Sequence, residues 1–231
     1  MKKTKVIIPA LGLLVLSTAA SVTGTVAWFS ANATVTATGM TVTAQSDSKL
    51  LVINYGATFD NTNESTTAAS THAATNLYPV APATTLTSGN VTTASSWHYG
   101  YSAASNDPTL NGNYIVCTDL TNYVVSETFS IGLSNKSGLT SATNLKLSAL
   151  TLPANTGISC VVVCGSNCWT HLSEYPQNAT APSLPEALAA TVDTNGVQVT
   201  IHYFINGDDS HVYTNNISAL TGLVSFTFSI D

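Results

Sequence analysis

The run VQVTIHYFI at residues 197–205 decides the fold. Val197, Val199, Ile201, Tyr203 and Ile205 share one parity, while Gln198, Thr200 and His202 share the other. A period of two built from β-branched and aromatic residues marks a strand with one apolar face. The DTNG turn at 193–196 leads into it. The last segment repeats the pattern: Val224, Phe226, Phe228 and Ile230 alternate with Ser225, Thr227 and Ser229.

Working outward, residues 158–164 (ISCVVVC) form a continuous apolar run, as expected of a central strand. Residues 123–133 place Val125, Glu127, Phe129 and Ile131 on one parity, and residues 145–152 alternate less cleanly through Leu145, Leu147 and Leu150. Residues 114–118 and 50–53 are short strand candidates. Residues 35–44 alternate with a slip at Gly39-Met40: Val35 and Ala37 share one face, and Met40, Val42 and Ala44 share the next. A glycine at such a slip reads as a β-bulge. The segment SLPEALAA at 183–190, with a capping Ser183 and Pro185 in the first turn, predicts one short helix. The expectation is all-β: an antiparallel two-sheet sandwich of jelly-roll type with one short helix. Residues 58–113, rich in Ser, Thr, Asn and Ala, read as a loop-rich insertion that hides short strands. Its aromatic islands, LYPV at 77–80 and WHYGY at 97–101, are expected to cover one end of the sandwich.

Charged residues make up 8% of the 231, far below the usual quarter. All six basic residues are lysines, three of them before residue 6. Without that terminus three lysines face twelve acids, a net charge near −9. Such a chain cannot displace counterions from phosphates, which excludes nucleic-acid partners, and it lacks a polybasic patch for anionic lipids. The 44% hydrophobic content supports a real core.

Residues 1–5 (MKKTK) are a basic n-region, residues 6–20 an apolar h-region, and residues 21–27 a run of small residues. This is the pattern of a secretory signal peptide. Two cuts satisfy the small-x-small rule: between Ala27 and Trp28, or between Ala20 and Ser21. The competing reading is an uncleaved anchor over residues 6–29, which would be the chain's sole membrane contact. Thr25, Ala27, Trp28, Phe29 and Ser30, followed by a Thr/Val-rich strand, resemble the end of the signal peptide in the TasA/camelysin family of Gram-positive biofilm-matrix fibre proteins. A hydrophobic strand, then a Gly-acidic-acidic turn at 207–209 and a Phe-rich closing strand, resembles the end of such domains. The resemblance implies export through a SipW-type signal peptidase, a cut after Ala27 and a mature domain over residues 28–231. It also implies that residues 28–44 form an exchangeable strand, with Trp28, Phe29, Val35, Met40 and Val42 joining subunits.

The chemistry offered elsewhere is thin. Cys117, Cys160, Cys164 and Cys168 make an even count in an exported chain and are disulfide candidates. An extended 158–164 separates Cys160 from Cys164 by about 13 Å, too far to bridge. That leaves Cys164 with Cys168 across a turn and Cys117 with Cys160. A four-thiolate zinc site and free thiols are the alternatives, although the C-x3-C-x3-C spacing is not that of a zinc motif. His171 and Glu174 read as a surface loop. Asp208 and Asp209 form a weak calcium candidate without the spaced carboxylates of a calcium loop. No H-E-x-x-H or G-x-S-x-G occurs, so no catalytic residue, metal or cofactor is assigned and the chain is not read as an enzyme.

The leading expectation is a secreted or surface-bound structural protein that self-associates into fibres. The alternative is an adhesin or carbohydrate-binding module using Trp97, Tyr99 and Tyr101 for glycan or cell-wall contact. A camelysin-type metalloprotease is the least favoured.

Overall fold

The computed structural model describes residues 41–45, 51–62, 65–69, 77–99, 115–152, 157–173, 184, 186–209 and 224–230. Trp28, Phe29, Val35, Met40 and Tyr101, both cleavage sites, Glu174 and the expected bulge at Gly39-Met40 lie outside them.

The elements in chain order are β1 (Thr41–Gln45), β2 (Leu51–Tyr55), β3 (Thr67–Ala69), β4 (Pro79–Pro82), a single 3-10 turn at Ala94–Ser96, β5 (Trp97–Tyr99), β6 (Val125–Leu133), β7 (Ser141–Thr151), β8 (Ile158–Cys164), β9 (Asn167–His171), β10 (Glu186–Asp193), β11 (Val197–Asn206) and β12 (Ser225–Ser229). They form two sheets. One has five strands in the order β10-β7-β12-β1-β3. The other has seven: β2-β6-β11 continue through β8 to β9 on one flank of β11, and β4-β5 attach at its C-terminal end. The pairings are antiparallel except β1 with β12 and β4 with β11. The protein is an all-β two-sheet sandwich.

Strand parity builds the core. On β11, Val199, Ile201, Tyr203 and Ile205 point inward and are buried. On β12, Phe226 and Phe228 do the same, while Ser225, Thr227 and Ser229 stay half-exposed. On β6, Val125, Glu127, Phe129 and Ile131 share the inner face as expected, and all four are buried. A carboxylate there requires a partner, and the Tyr55 hydroxyl donates to Glu127 Oε2 at 2.6 Å.

A second, smaller core lies on the outer face of the seven-stranded sheet, built from Val80, Leu86, Val91, Trp97, Cys117, Val161 and Phe204. Segments from 77–99 and 117–124 supply its cover, so part of the loop-rich stretch carries β4 and β5 and acts as a lid over β8 and β11. This explains the unbroken apolar run of β8: Cys160 and Val162 face the main core, and Val161 faces the second.

The helix expected at 183–190 is not there. Glu186–Asp193 is strand β10, paired with β7 from Glu186↔Leu147 to Asp193↔Ser141 with a bulge between Ala187 and Ala189. Leu188 and Val192 enter the core. A spacing of four satisfies both periods, one helical turn and an even strand step. Alanine's helix preference is worth only tenths of a kcal/mol per residue, less than pairing with a long neighbouring strand. The strand expected at 114–118 reduces among the described residues to one bridge, Val116 to His98.

Phe59 lies against the backbones of Gly132 and Gly196. A Cβ on Gly132 would stand 2.5 Å from Phe59 Cζ and 2.7 Å from Gly196 Cα, and Gly196 itself has φ +72°. Gly132→Ala is therefore expected to cost about 1–3 kcal/mol by overpacking. Adding Phe59→Ala should recover part of the loss in urea unfolding, because only the backbone contact then remains.

Candidate assembly site

β1 reads Thr-Val-Thr-Ala-Gln, with Val42 and Ala44 buried in the main core and Thr43 turned outward. It runs parallel to β12 in the register Thr41↔Ser225 to Gln45↔Ser229, and antiparallel to β3 from Thr41↔Ala69 to Thr43↔Thr67. Both neighbours are distant in sequence, so every pairing that holds β1 is non-local. The Ala44 N–H donates to Thr66 O at 2.8 Å, and the Ile53 N–H donates to Ser65 O at 2.9 Å. Residues 65 and 66 thus stitch β1 in one sheet to β2 in the other.

None of the thirteen residues of β1, β3 and β12 is charged, and none is proline. Those are the usual devices that keep a strand edge from recruiting another chain. If β1 left, β12 would present an uncharged edge carrying Phe226 and Phe228. Of the residues expected to join subunits, Val42 is placed, fully buried within its own chain.

The aromatic reading changes. Trp97 is fully buried; its Nε1–H donates to Val91 O at 2.9 Å and its ring meets Phe204 edge-on at 4.9 Å and 75°. It is a core residue and cannot stack on a glycan. A tryptophan within a polar stretch looks like a ligand platform only while the lid that buries it is unseen. Tyr99 is half-buried and meets Tyr123 at 4.9 Å, and Tyr78 meets Tyr123 at 5.8 Å. Tyr78 belongs to the 77–80 island expected from the sequence, but its contact with Tyr123 was not foreseen, since nothing local links positions 45 residues apart.

The cysteine pairing is also corrected: all four are free thiols. Cys160 and Cys164 face the main core, whereas Cys117 and Cys168 face the second core. The β8–β9 register sets Cys168 opposite Val163, on the far side of the sheet from Cys164. Both expected pairs, Cys117 with Cys160 and Cys164 with Cys168, therefore point to opposite faces. Burial pushes the Cys117 thiol up to about 11 and raises the other three, which keeps them protonated.

No group of three or more His, Cys, Asp or Glu among the described residues is arranged to hold a metal. In the 208–209 turn, Asp208 Oδ1 lies 2.8 Å from His98 Nε2 and the Asp208 N–H donates to Asn206 Oδ1, while Asp209 is buried. Asp208 thus ties the turn after β11 to β5. His171 closes β9 and stacks on Trp169 at 6.0 Å. On the outer face, Ser126 Oγ and His202 Nδ1 are 2.8 Å apart and the Thr128 and Thr200 hydroxyls 3.1 Å apart. Sequence reading missed both the His98–Asp208 and the Ser126–His202 pairs. No helix of the described residues is long and apolar enough to cross a membrane. No family model, curated protein or solved structure matches the chain.

Proposed function

We propose that the chain is a secreted structural protein, the subunit of an extracellular-matrix or cell-surface fibre, in which β1 is passed from one copy to the next. The observation that carries this reading is the seat of β1: a short strand near the N-terminus, between two uncharged strands and parallel to the strand nearest the C-terminus. Strand addition supplies affinity through backbone hydrogen bonds and specificity through alternate side chains, here Val42 and Ala44. The signal-peptide pattern and the resemblance of residues 25–30 support export, and the low charge suits a subunit that stacks on itself.

Cross-linking tests it. Thr43 and Thr227 are direct partners in the β1–β12 register, and adjacent strands lie about 4.8 Å apart, within disulfide reach. Thr43→Cys and Thr227→Cys are introduced in separate, differently tagged copies, which are mixed with mature N-termini and oxidised. Strand exchange predicts a mixed disulfide joining the two tags, together with fibres in electron micrographs. Closure only within one chain, seen when both cysteines share a copy and no tag-to-tag product forms, would overturn the proposal.

A further inference from the structure

We propose that Tyr78, Tyr99 and Tyr123 form a binding platform for a neutral polysaccharide on the outer layer of the seven-stranded sheet. This stands apart from the strand-exchange reading and does not depend on it.

Three separate segments bring the rings together, each held by backbone hydrogen bonds. The Tyr78 N–H donates to Asn122 O and the Tyr99 N–H to Ile115 O, both at 2.9 Å, and the Tyr123 N–H donates to Leu120 O at 3.0 Å. The rings follow one another at 5.8 Å and 4.9 Å with interplanar angles of 44° and 46°. Tyr99 is fixed further: its hydroxyl accepts from the Thr118 N–H at 3.2 Å and lies 3.2 Å from the Thr118 hydroxyl. Tyr78 is 46% exposed, and the backbone neighbours of β5, Ile115 and Val116, are 52% and 48% exposed. Three of the six large exposed hydrophobics among the described residues, Tyr78, Ile115 and Val116, thus belong to the segments that carry these tyrosines or pair with β5. Such a concentration marks an interaction surface rather than scattered exposure.

The composition of the patch selects the ligand. Tyrosine combines an apolar face with a polar tip, which matches a pyranose ring with its C–H face and rim of hydroxyls. Rings turned by roughly 45° to each other suit successive sugars of a twisted chain. The 118–122 turn brings Thr118, Asp119, Thr121 and Asn122 beside the rings, a set of hydroxyl, carboxylate and amide groups. Asp119 accepts from the Thr121 hydroxyl and N–H, which hold its carboxyl below the ordinary range and therefore charged. The lysines among the described residues, Lys136 and Lys146, sit in the β6–β7 connection and on β7. A negative site with no cation in its turn repels acidic glycans and leaves neutral ones.

Calorimetric titration of the full chain with cellohexaose, chitohexaose, hexagalacturonate and decaproline tests the proposal. Binding is expected to one neutral hexasaccharide at least, and to hexagalacturonate about tenfold more weakly or not at all. Removing one ring of the platform, Tyr78→Ala should weaken binding about two- to tenfold, while Tyr78→Phe should retain it. Tyr78 is exposed and its backbone is unaltered, and an unchanged thermal midpoint verifies that Tyr78→Ala folds. No binding to either neutral sugar, equal binding by Tyr78→Ala, or tighter binding of decaproline than of any saccharide would overturn the assignment.

Discussion

Phe226→Ala is expected to destabilise the sandwich by about 3–5 kcal/mol, the largest effect of any single truncation considered. Phe226 is fully buried at the centre of β12, opposite Leu150 on β7 and Val42 on β1. Its ring meets Tyr203 of the other sheet edge-on at 5.9 Å. Truncation removes the ring's transfer free energy and leaves a cavity bordered by three strands and the facing sheet, which cannot collapse without shifting both layers. Domains of this size have only about 5–15 kcal/mol in hand. At an m-value of about 2 kcal/mol/M, the urea midpoint should fall by about 2 M. Phe226→Leu, which keeps most of the volume, should cost less than half as much. A loss below about 1 kcal/mol for the alanine variant would mean that β12 does not carry the core.

The second large effect is a pH dependence carried by His202. The ring is buried on the outer face of β11, opposite Ser126 on β6 and Val161 on β8, and burial lowers its pKa from 6.5 to about 4. A histidine held neutral in the folded state takes up its proton first in the unfolded chain. Its contribution is therefore complete above pH 6.5, falls as the pH drops below that value, and is gone near pH 4. The gap, at about 1.4 kcal/mol per pH unit, amounts to about 3 kcal/mol. Urea unfolding measured from pH 7.5 to pH 4 should show this decline, and His202→Gln should remove most of it. His171, also lowered by burial, adds in the same direction and sets the remainder. Asp119 and Asp193 act in a different window. Their carboxyls are lowered by hydrogen bonds, first from the side chain of Thr121 and from the backbone of Asn195, so their contributions disappear below the ordinary aspartate value of 3.8. An identical pH profile in wild type and His202→Gln would show that His202 is solvated.

Much of the sandwich was legible because a half-buried strand writes its parity into the sequence. β6, β8, β11 and β12 appear within a residue or two of where alternation or a continuous apolar run put them. β10 was not legible as a strand: its apolar residues are spaced by four, which both periods allow, and a capping serine followed by proline tipped the local evidence toward a helix. The site divides the same way. Val42 was legible as an inward strand residue. Its partners were not: a parallel pairing with β12 across some 180 residues and an antiparallel one with the three-residue β3 leave no local trace. Trp97 was legible as a buried loop anchor as well as a ligand candidate, and only its cover decides between them: Val91 and Phe204 come from segments on both sides of it in the chain.

By itself, then, the sequence determined the class of structure, the inward residues of the long strands and the absence of any familiar catalytic motif. These follow from side-chain alternation and composition, which act over a few residues. Tertiary structure alone decided that the loop-rich stretch builds a second core, that the cysteines are split between the two faces of a sheet, that three distant tyrosines share a surface and that β1 lies beside β12. Each of these depends on which face of which strand meets another, and register between distant segments is set by the packing of both sheets at once.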